Sequence, residues 1–308
     1  MGQRGGKMDT GSALVVSIGI PAYNATGFLE AAVRSACAQD YPHVRLIVSV
    51  DQSTDGTADF ARRLAAEHGF DLVIQPRRLG WIGNSNAVLR RMASEFGMIL
   101  PHDDVLLPSY VSSCMEALLA NEASAVACSD IERVPAGNII SQLELRGDRV
   151  ARVAKCIKDG FAGVSYRGVL RFGRFRRREV PNAIGGFAAD TLWMVRMAIA
   201  GEIVRVPQAL YRKTFHATSA HHAWKQMTDR QEDRRWLAHT AEIALLLMRD
   251  APLLLRDPAI RKALRKRARR LGNARFRRHE AIGGWAARYP MSRSWVEYLR
   301  HLILPAAR

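Results

Sequence analysis

The stretch "LPHDDVLLP", Leu100 to Pro108, sets two carboxylates side by side at the end of an apolar run and shortly before a proline. Hard oxygen ligands suit Mg²⁺ and Mn²⁺, so Asp103 and Asp104 ahead of a proline-capped helix can hold a divalent cation. Such a cation would neutralise a diphosphate and act as a Lewis acid for a phosphate leaving group. The plainer alternative has one aspartate capping the helix and the other solvated. Two more polar clusters bear on the same chemistry, "PAYN" at 21–24 and "DQSTDGT" at 51–57. For Asp51 and its followers the alternative is again helix capping, which Ser53, Thr54 and Asp55 could do unaided.

The surrounding pattern says where these clusters must lie. "ALVVSIGI" (13–20), "VRLIVSV" (44–50) and "DLVIQ" (71–75) are short apolar, β-branched runs of strand type, and "MIL" leads into the aspartate pair. Between them, "GFLEAAVRSACAQ", "STDGTADFARRLAAEHG" and "IGNSNAVLRRMASEFG" have helical spacing. A helix from Pro108 and a strand "ASAVACSD" follow. Strands alternating with helices predict an α/β domain with a mostly parallel sheet, whose ligands bind outside the carboxyl ends of the strands. All three polar clusters fall at such ends and should share one edge. From about Asp190 the pattern changes: a helix "DTLWMVRMAIAG", a short strand "EIVRVP", then long helical stretches from about Ala223. This predicts a flexible tail over 1–12, an α/β unit over 13–220 and a helical basic region over 221–308.

The 308 residues are 48% hydrophobic and 24% charged, a globular composition. No apolar run approaches the roughly 18 residues that cross a bilayer, and "MGQRGGKMDTGS" lacks the apolar core of a signal peptide. Four scattered cysteines favour reduced thiols in a cytoplasmic protein over disulfides or zinc. The formal charge of +17 is the outlier, and it implies a polyanionic partner. About eleven Lys/Arg lie in each of 146–178 and 256–278.

"VSIGIPAYNATGFLEAAVRSACAQDYPHVRLIVSVDQSTDGT" resembles the opening of family 2 glycosyltransferases, inverting enzymes with the glycosyltransferase-A fold, a Rossmann-like α/β arrangement. The resemblance continues through "LGWIGNSNAVL" and "ILPHDDVLLP" and returns weakly in "AADTLWMVRMAIAG" and "VPQALYRKTFHATS". It implies a donor half over about 13–130 and an acceptor part over about 131–220. It also implies transfer from a nucleotide-sugar donor to a glycan or lipid-linked acceptor, in cell-surface polysaccharide synthesis of bacterial type. By the same resemblance Pro21, Tyr23 and Asn24 would form the turn that holds base and ribose, with Tyr23 stacking on the base and Asp51 accepting a hydrogen bond from it.

The family's metal motif is Asp-any-Asp at a set distance before proline. Counted back from Pro108, its second acid falls on Asp103 and its first on Pro101, a departure; Asp104 or His102 would compensate, His102 near the ribose. The implied cofactor is Mn²⁺ or Mg²⁺, with His216 in "YRKTFHATS" resembling a histidine that completes the metal shell; the alternative is a structural histidine. Arg78 stands where the family has asparagine and Ser85 where it has arginine, so Arg78 would serve the diphosphate, while Asn86 matches and by the resemblance would contact the nucleotide sugar. Trp81 reads as core. Asp190 in "AAD" takes the place of the family's catalytic base, or else is a helix N-terminal aspartate stabilised by the dipole.

"SYRGVLRFGRFRRREVP" (165–181) occupies the variable acceptor segment, and its arginines would suit an anionic acceptor. "AIRKALRKRARRLGNARFRR" (259–278) puts Ile260, Leu264, Ala268 and Leu271 on one stripe among cations, followed by Trp285, Tyr289, Trp295 and Tyr298. That suggests a peripheral enzyme on an anionic membrane's inner face, unless the stripe packs on the catalytic unit. Two other functions compete. A nucleotidyltransferase would carry an early glycine-rich phosphate loop, which "IPAYNATG" is not. A nucleic-acid-binding protein would fit the charge, but no zinc finger or RNA-binding signature accompanies it.

Overall fold

The computed structural model describes residues 13–159, 165–216 and 229–268. The strands are β1 (Val16–Ala22), β2 (Val44–Val50), β3 (Asp71–Ile74), β4 (Phe96–Ile99), β5 (Val105–Leu106), β6 (Ser124–Val134), β7 (Ile139–Ile140), β8 (Val169–Arg171) and β9 (Glu202–Thr214). The α-helices with described bounds are α1 (Leu29–Cys37), α2 (Thr57–His68), α3 (Gly80–Arg91), α4 (Tyr110–Leu119), α5 (Arg149–Asp159), α6 (Ala189–Ala200) and α7 (Asp229–Asp250), and a last one covers 258–268.

The strands form one sheet in the order β3-β2-β1-β4-β8-β6-β9-β5, with β7 beside β6. Its first half is parallel: β1 lies between β2 and β4, and β3 adds outside β2. The second half is mixed, because β8 runs antiparallel to both β4 and β6 while β6 and β9 are parallel. Pro21 is tolerated in the middle strand because β4 has ended at the Gly19–Ile99 pair, so the missing N–H falls beyond that ladder.

Two apolar layers cover the sheet. On one face Leu29 and Val33 of α1, Leu64 of α2 and Val111 of α4 pack with Ile18 and Ile20. On the other, Val88 of α3, Val153 of α5 and Trp193 of α6 pack with Ile47 and Val126. Helix α3 can lie on β1 only because Gly19 has no side chain. A Cβ there would meet Val88 Cγ1 at 2.0 Å and Met92 Cε at 2.5 Å.

The C-terminal helices join the second layer. Ile243 and Leu247 of α7 are buried in it, as are Ile260 and Leu264 of the last described helix. The described part of the basic stripe therefore packs inward. Even one of its cations is interior: Arg267 donates to Thr240 Oγ1 and to the Ile157 carbonyl, at 3.2 and 3.3 Å. Leu271 and the four aromatics after it lie outside the described residues, as does the tail over 1–12. All four cysteines are free thiols.

Candidate active site

The parallel register aligns Ala22 with Val50 and Gly19 with Ile99, so the three polar clusters do emerge at one edge. The first two are joined there. Asn24, at φ 46°, adopts the left-handed conformation that asparagine tolerates better than most residues. Its Oδ1 accepts from the Thr54 amide at 2.9 Å, and its own amide donates to Ser53 Oγ at 3.2 Å. Thr57 Oγ1 accepts from the Ala25 amide at 2.7 Å. These bonds hold Tyr23 out at the edge with its ring exposed.

Asp51 is buried behind that ring. Its Oδ1 accepts from the amides of Gln52 and Leu79, at 3.0 and 2.7 Å. Its Oδ2 accepts from the Gly80 amide at 2.9 Å and from the Arg78 guanidinium. The carboxylate thus sits at the N-terminus of α3, where free N–H groups and the helix dipole favour an anion. The same guanidinium lies over the Tyr23 ring, 3.3 Å from its centroid. Arg78 therefore joins the two residues expected to hold the base, and it occupies both the ring face and one Asp51 oxygen.

The aspartate pair divides. Asp103 meets His216, Oδ2 to Nε2 at 3.1 Å, and each side chain is about one-fifth exposed (21% and 20%). Phe28 stacks on the His216 ring at 4.4 Å between centroids, which fixes the imidazole at the end of β9. Asp104 points the other way. It is buried, its Oδ2 accepts from Arg167 and from the Tyr211 hydroxyl at 2.6 Å, and its Oδ1 accepts from the Thr214 amide at 3.0 Å. Burial works against the Arg167 cation, but Asp104 and the tyrosines Tyr166 and Tyr211 outweigh it and hold Arg167 protonated. The expectation that Asp104 ligates metal is corrected here, because its oxygens are engaged inside the fold. Among the described residues no group of three or more His, Cys, Asp and Glu could hold a metal. His102 Nδ1 lies 3.2 Å from the Pro21 carbonyl and ties the third cluster to β1.

Asp190 stands in the first turn of α6, after Ala188 in the left-handed region, and its Oδ1 accepts from the Thr191 amide at 2.9 Å. Burial pushes its carboxyl up, opposed by that amide and by the Arg167 and Lys213 cations. Lys213 was missed in the sequence. Burial and the Arg167 charge bring its ammonium down to about 8, against the pull of Asp104, Asp190 and Asp103. The signal was available: strand alternation puts Lys213 on the face of Tyr211, and both are buried while Arg212 between them is exposed.

Two more positions differ from expectation. Trp81 is 44% exposed rather than core, and it flanks Gly186 in the turn before α6. Asn86 faces away from the Asp51 cradle: its Oδ1 accepts from the Val180 amide at 2.7 Å and its Nδ2 donates to the Val180 carbonyl at 3.0 Å. The segment over 175–182 is thereby pinned to α3.

The sequence model of a family described as Glycosyl transferase family 2 matches residues 17–203. The chain belongs to glycosyl transferase family 2. Within the family it is similar to a Campylobacter jejuni protein named GalNAc(5)-diNAcBac-PP-undecaprenol beta-1,3-glucosyltransferase, 29% identical over 169 residues, 54% of this chain and 53% of that one. An uncharacterized glycosyltransferase of Rickettsia typhi is 32% identical over 106 residues, 34% of this chain and 32% of its own length. The match thus spans about half or less of these relatives. Among solved structures, S. aureus TarS 1–349 with UDP-GlcNAc shares the fold at TM-score 0.63 and 14% identity, over 81% of this chain and 71% of that one. A Pyrobaculum calidifontis mannosyltransferase with GDP-Man and Mn²⁺ overlaps 94% of this family 2 chain and 84% of its own at TM-score 0.52 and 19% identity. The likeness to these glycosyltransferases bears out the expected fold class.

Proposed function

We propose that the chain transfers a sugar, with inversion, from a nucleotide-sugar donor to a hydroxyl of a glycan or lipid-linked acceptor. The observation that carries this is the alignment of Tyr23, Asp51 and Asp103 along one sheet edge of a family 2 chain, with Asp190 entering from α6. Lys213 links the last two: both carboxylates act on its charge. The donors seen in the solved neighbours and the undecaprenol-linked acceptor in the Campylobacter relative's name support the substrate classes.

The chemistry divides among the residues. A base stacking on Tyr23 displaces Arg78 from the ring face, and the freed guanidinium can turn to the diphosphate. Asp190 takes the acceptor proton as the acceptor oxygen bonds to the anomeric carbon. The bond from that carbon to the diphosphate breaks on the opposite face, and the nucleoside diphosphate leaves. Asp103 and His216 would hold the cation. One carboxylate oxygen and one imidazole nitrogen fit Mn²⁺ better than Mg²⁺, which prefers oxygen alone. When bound, that ion neutralises charge on the leaving diphosphate.

The test is a nucleotide-sugar panel read by thermal shift, with and without Mn²⁺, since a ligand of the folded state alone raises its melting temperature. At least one donor should stabilise the protein. With that donor, Asp190→Asn should keep the shift and lose turnover by roughly a hundredfold or more. Because burial raises Asp190, its base form disappears on acidification at a higher pH than for an ordinary carboxylate. Turnover of the native chain should fall off correspondingly early on the acid side. No stabilisation by any nucleotide sugar would refute the proposal.

A further inference from the structure

A cleft of about 680 Å³ lies beyond the donor edge, between the 175–182 segment, Asn86 of α3, Arg196 of α6 and Arg249 of α7. Five guanidiniums line it, those of Arg176, Arg177, Arg178, Arg196 and Arg249, against one carboxylate, Glu179. Arg196 and Arg249 share Asp250 behind the wall, each at 2.9 Å, so a single negative charge serves two cations. Arg178 lies over the Phe172 ring at 4.7 Å. Arg176 and Arg177 are exposed, and neither has a carboxylate within ion-pair distance among the described residues.

The segment that carries these arginines is fixed from below at three successive residues. The Trp193 indole donates to the Arg178 carbonyl at 3.1 Å, the Arg196 guanidinium donates to the Glu179 carbonyl, and Asn86 bonds both polar groups of the Val180 peptide. A backbone held in this way sets its cations in place before any ligand arrives, which lowers the ordering cost of binding. Planar guanidiniums match the oxygens of phosphate two at a time.

Position separates this cleft from the Asp51 cradle. Arg196 is six residues past Asp190 on α6, and Asn86 is six past Gly80 on α3. At 1.5 Å per residue each interval is about 9 Å. A phosphate in the cleft is therefore offset along α6 from Asp190, the residue proposed to take the acceptor proton, and it is placed to belong to the acceptor. We propose that this arginine cleft binds the phosphate or diphosphate group of an anionic acceptor. The assignment to the acceptor rests on the transferase reading above; the anion site itself does not.

The experiment is calorimetric titration of the full chain with inorganic pyrophosphate, with a short polyprenyl diphosphate in detergent, and with a hexose 1-phosphate. Arg176→Ser/Arg177→Ser should weaken binding of at least one probe by about tenfold or more, as loss of charge-assisted hydrogen bonds predicts. Tighter binding of the polyprenyl diphosphate than of pyrophosphate assigns the group to a lipid-linked acceptor, and equal or tighter binding of the hexose phosphate to a soluble one. If the serine variant melts early, Arg176→Lys/Arg177→Lys keeps the charge but removes the fork, and should still weaken binding. Unchanged affinity in a folded variant, or no binding of any probe by the native chain, overturns the proposal. Nucleotide-sugar stabilisation of the same variant reports separately. If it is missing from native and variant protein alike, the transferase reading fails while the anion site stands or falls on its own titration.

Discussion

Asp103 and Asp104 are chemically identical neighbours whose surroundings give them opposite work. Asp103 faces His216 with part of its side chain in solvent, and replacing it by alanine opens no core cavity. The pair is partly solvated, so its loss should cost under about 1 kcal/mol of stability. Asp104→Ala instead leaves Arg167 buried without its counter-charge, and breaking such a pair costs about 3–5 kcal/mol. Urea denaturation of the two variants should show a near-native midpoint for Asp103→Ala and a large drop for Asp104→Ala. Donor-dependent turnover should vanish in Asp103→Ala although it is folded. Equal stability losses in both would contradict this division. The resemblance, counted from Pro108, named Asp103 as the expected metal ligand. Nothing local could show that Asp104 turns inward, because its partners Arg167 and Tyr211 lie 63 and 107 residues away in the chain. Arg78 was legible only as a cation near the diphosphate; its place between Tyr23 and Asp51 depends on how α3 begins.

Helix α3 is the element that organises the site. Its first turn supplies N–H groups to Asp51, its Trp81 borders the turn before α6, and its Asn86 grips Val180. The resemblance gave Asn86 to the nucleotide sugar, whereas the geometry ties it to the Val180 peptide. Asn86→Ala separates the two. It strands the N–H and carbonyl of a buried residue, a loss of about 1–3 kcal/mol in chemical denaturation. Nucleotide-sugar thermal shift should persist in the variant. A stable variant that no longer binds donor would restore the family role. The elements of the parallel half were readable because each is a local pattern, an apolar β-branched run or a helical stripe. The mixed half was not. Whether β8 enters between β4 and β6, and in which direction, is decided by pairings across the whole chain, and "VLR" at 169–171 is too short to announce them.

At the scale of the molecule, the open question raised by the +17 charge is what it faces. The stripe read as a membrane face is partly spent on the core, since Ile260 and Leu264 pack beneath α7 and Arg267 reaches His239 Nδ1 at 3.2 Å. Among the described residues no helix is long and apolar enough to cross a membrane. Attraction to an anionic surface must then come mainly from charge. Arg269, Arg270, Arg275, Arg277 and Arg278 follow in the sequence, and each cation near such a surface contributes on the order of 1 kcal/mol, screened within a Debye length of about 8–10 Å. Two truncations distinguish anchoring from folding. Removing 269–308 keeps Ile260 and Leu264, so the melting temperature should hold while flotation with anionic vesicles at low salt is lost. Removing 257–308 also takes the fully buried side chains of Ile260 and Leu264, worth about 1.5–3 kcal/mol each, and should lower the melting temperature as well. The full chain should float with anionic vesicles at low salt, leave them at high salt and ignore neutral ones. If it stays unbound to anionic vesicles at low salt, these cations serve another anion, and the arginine cleft becomes the place to look for it.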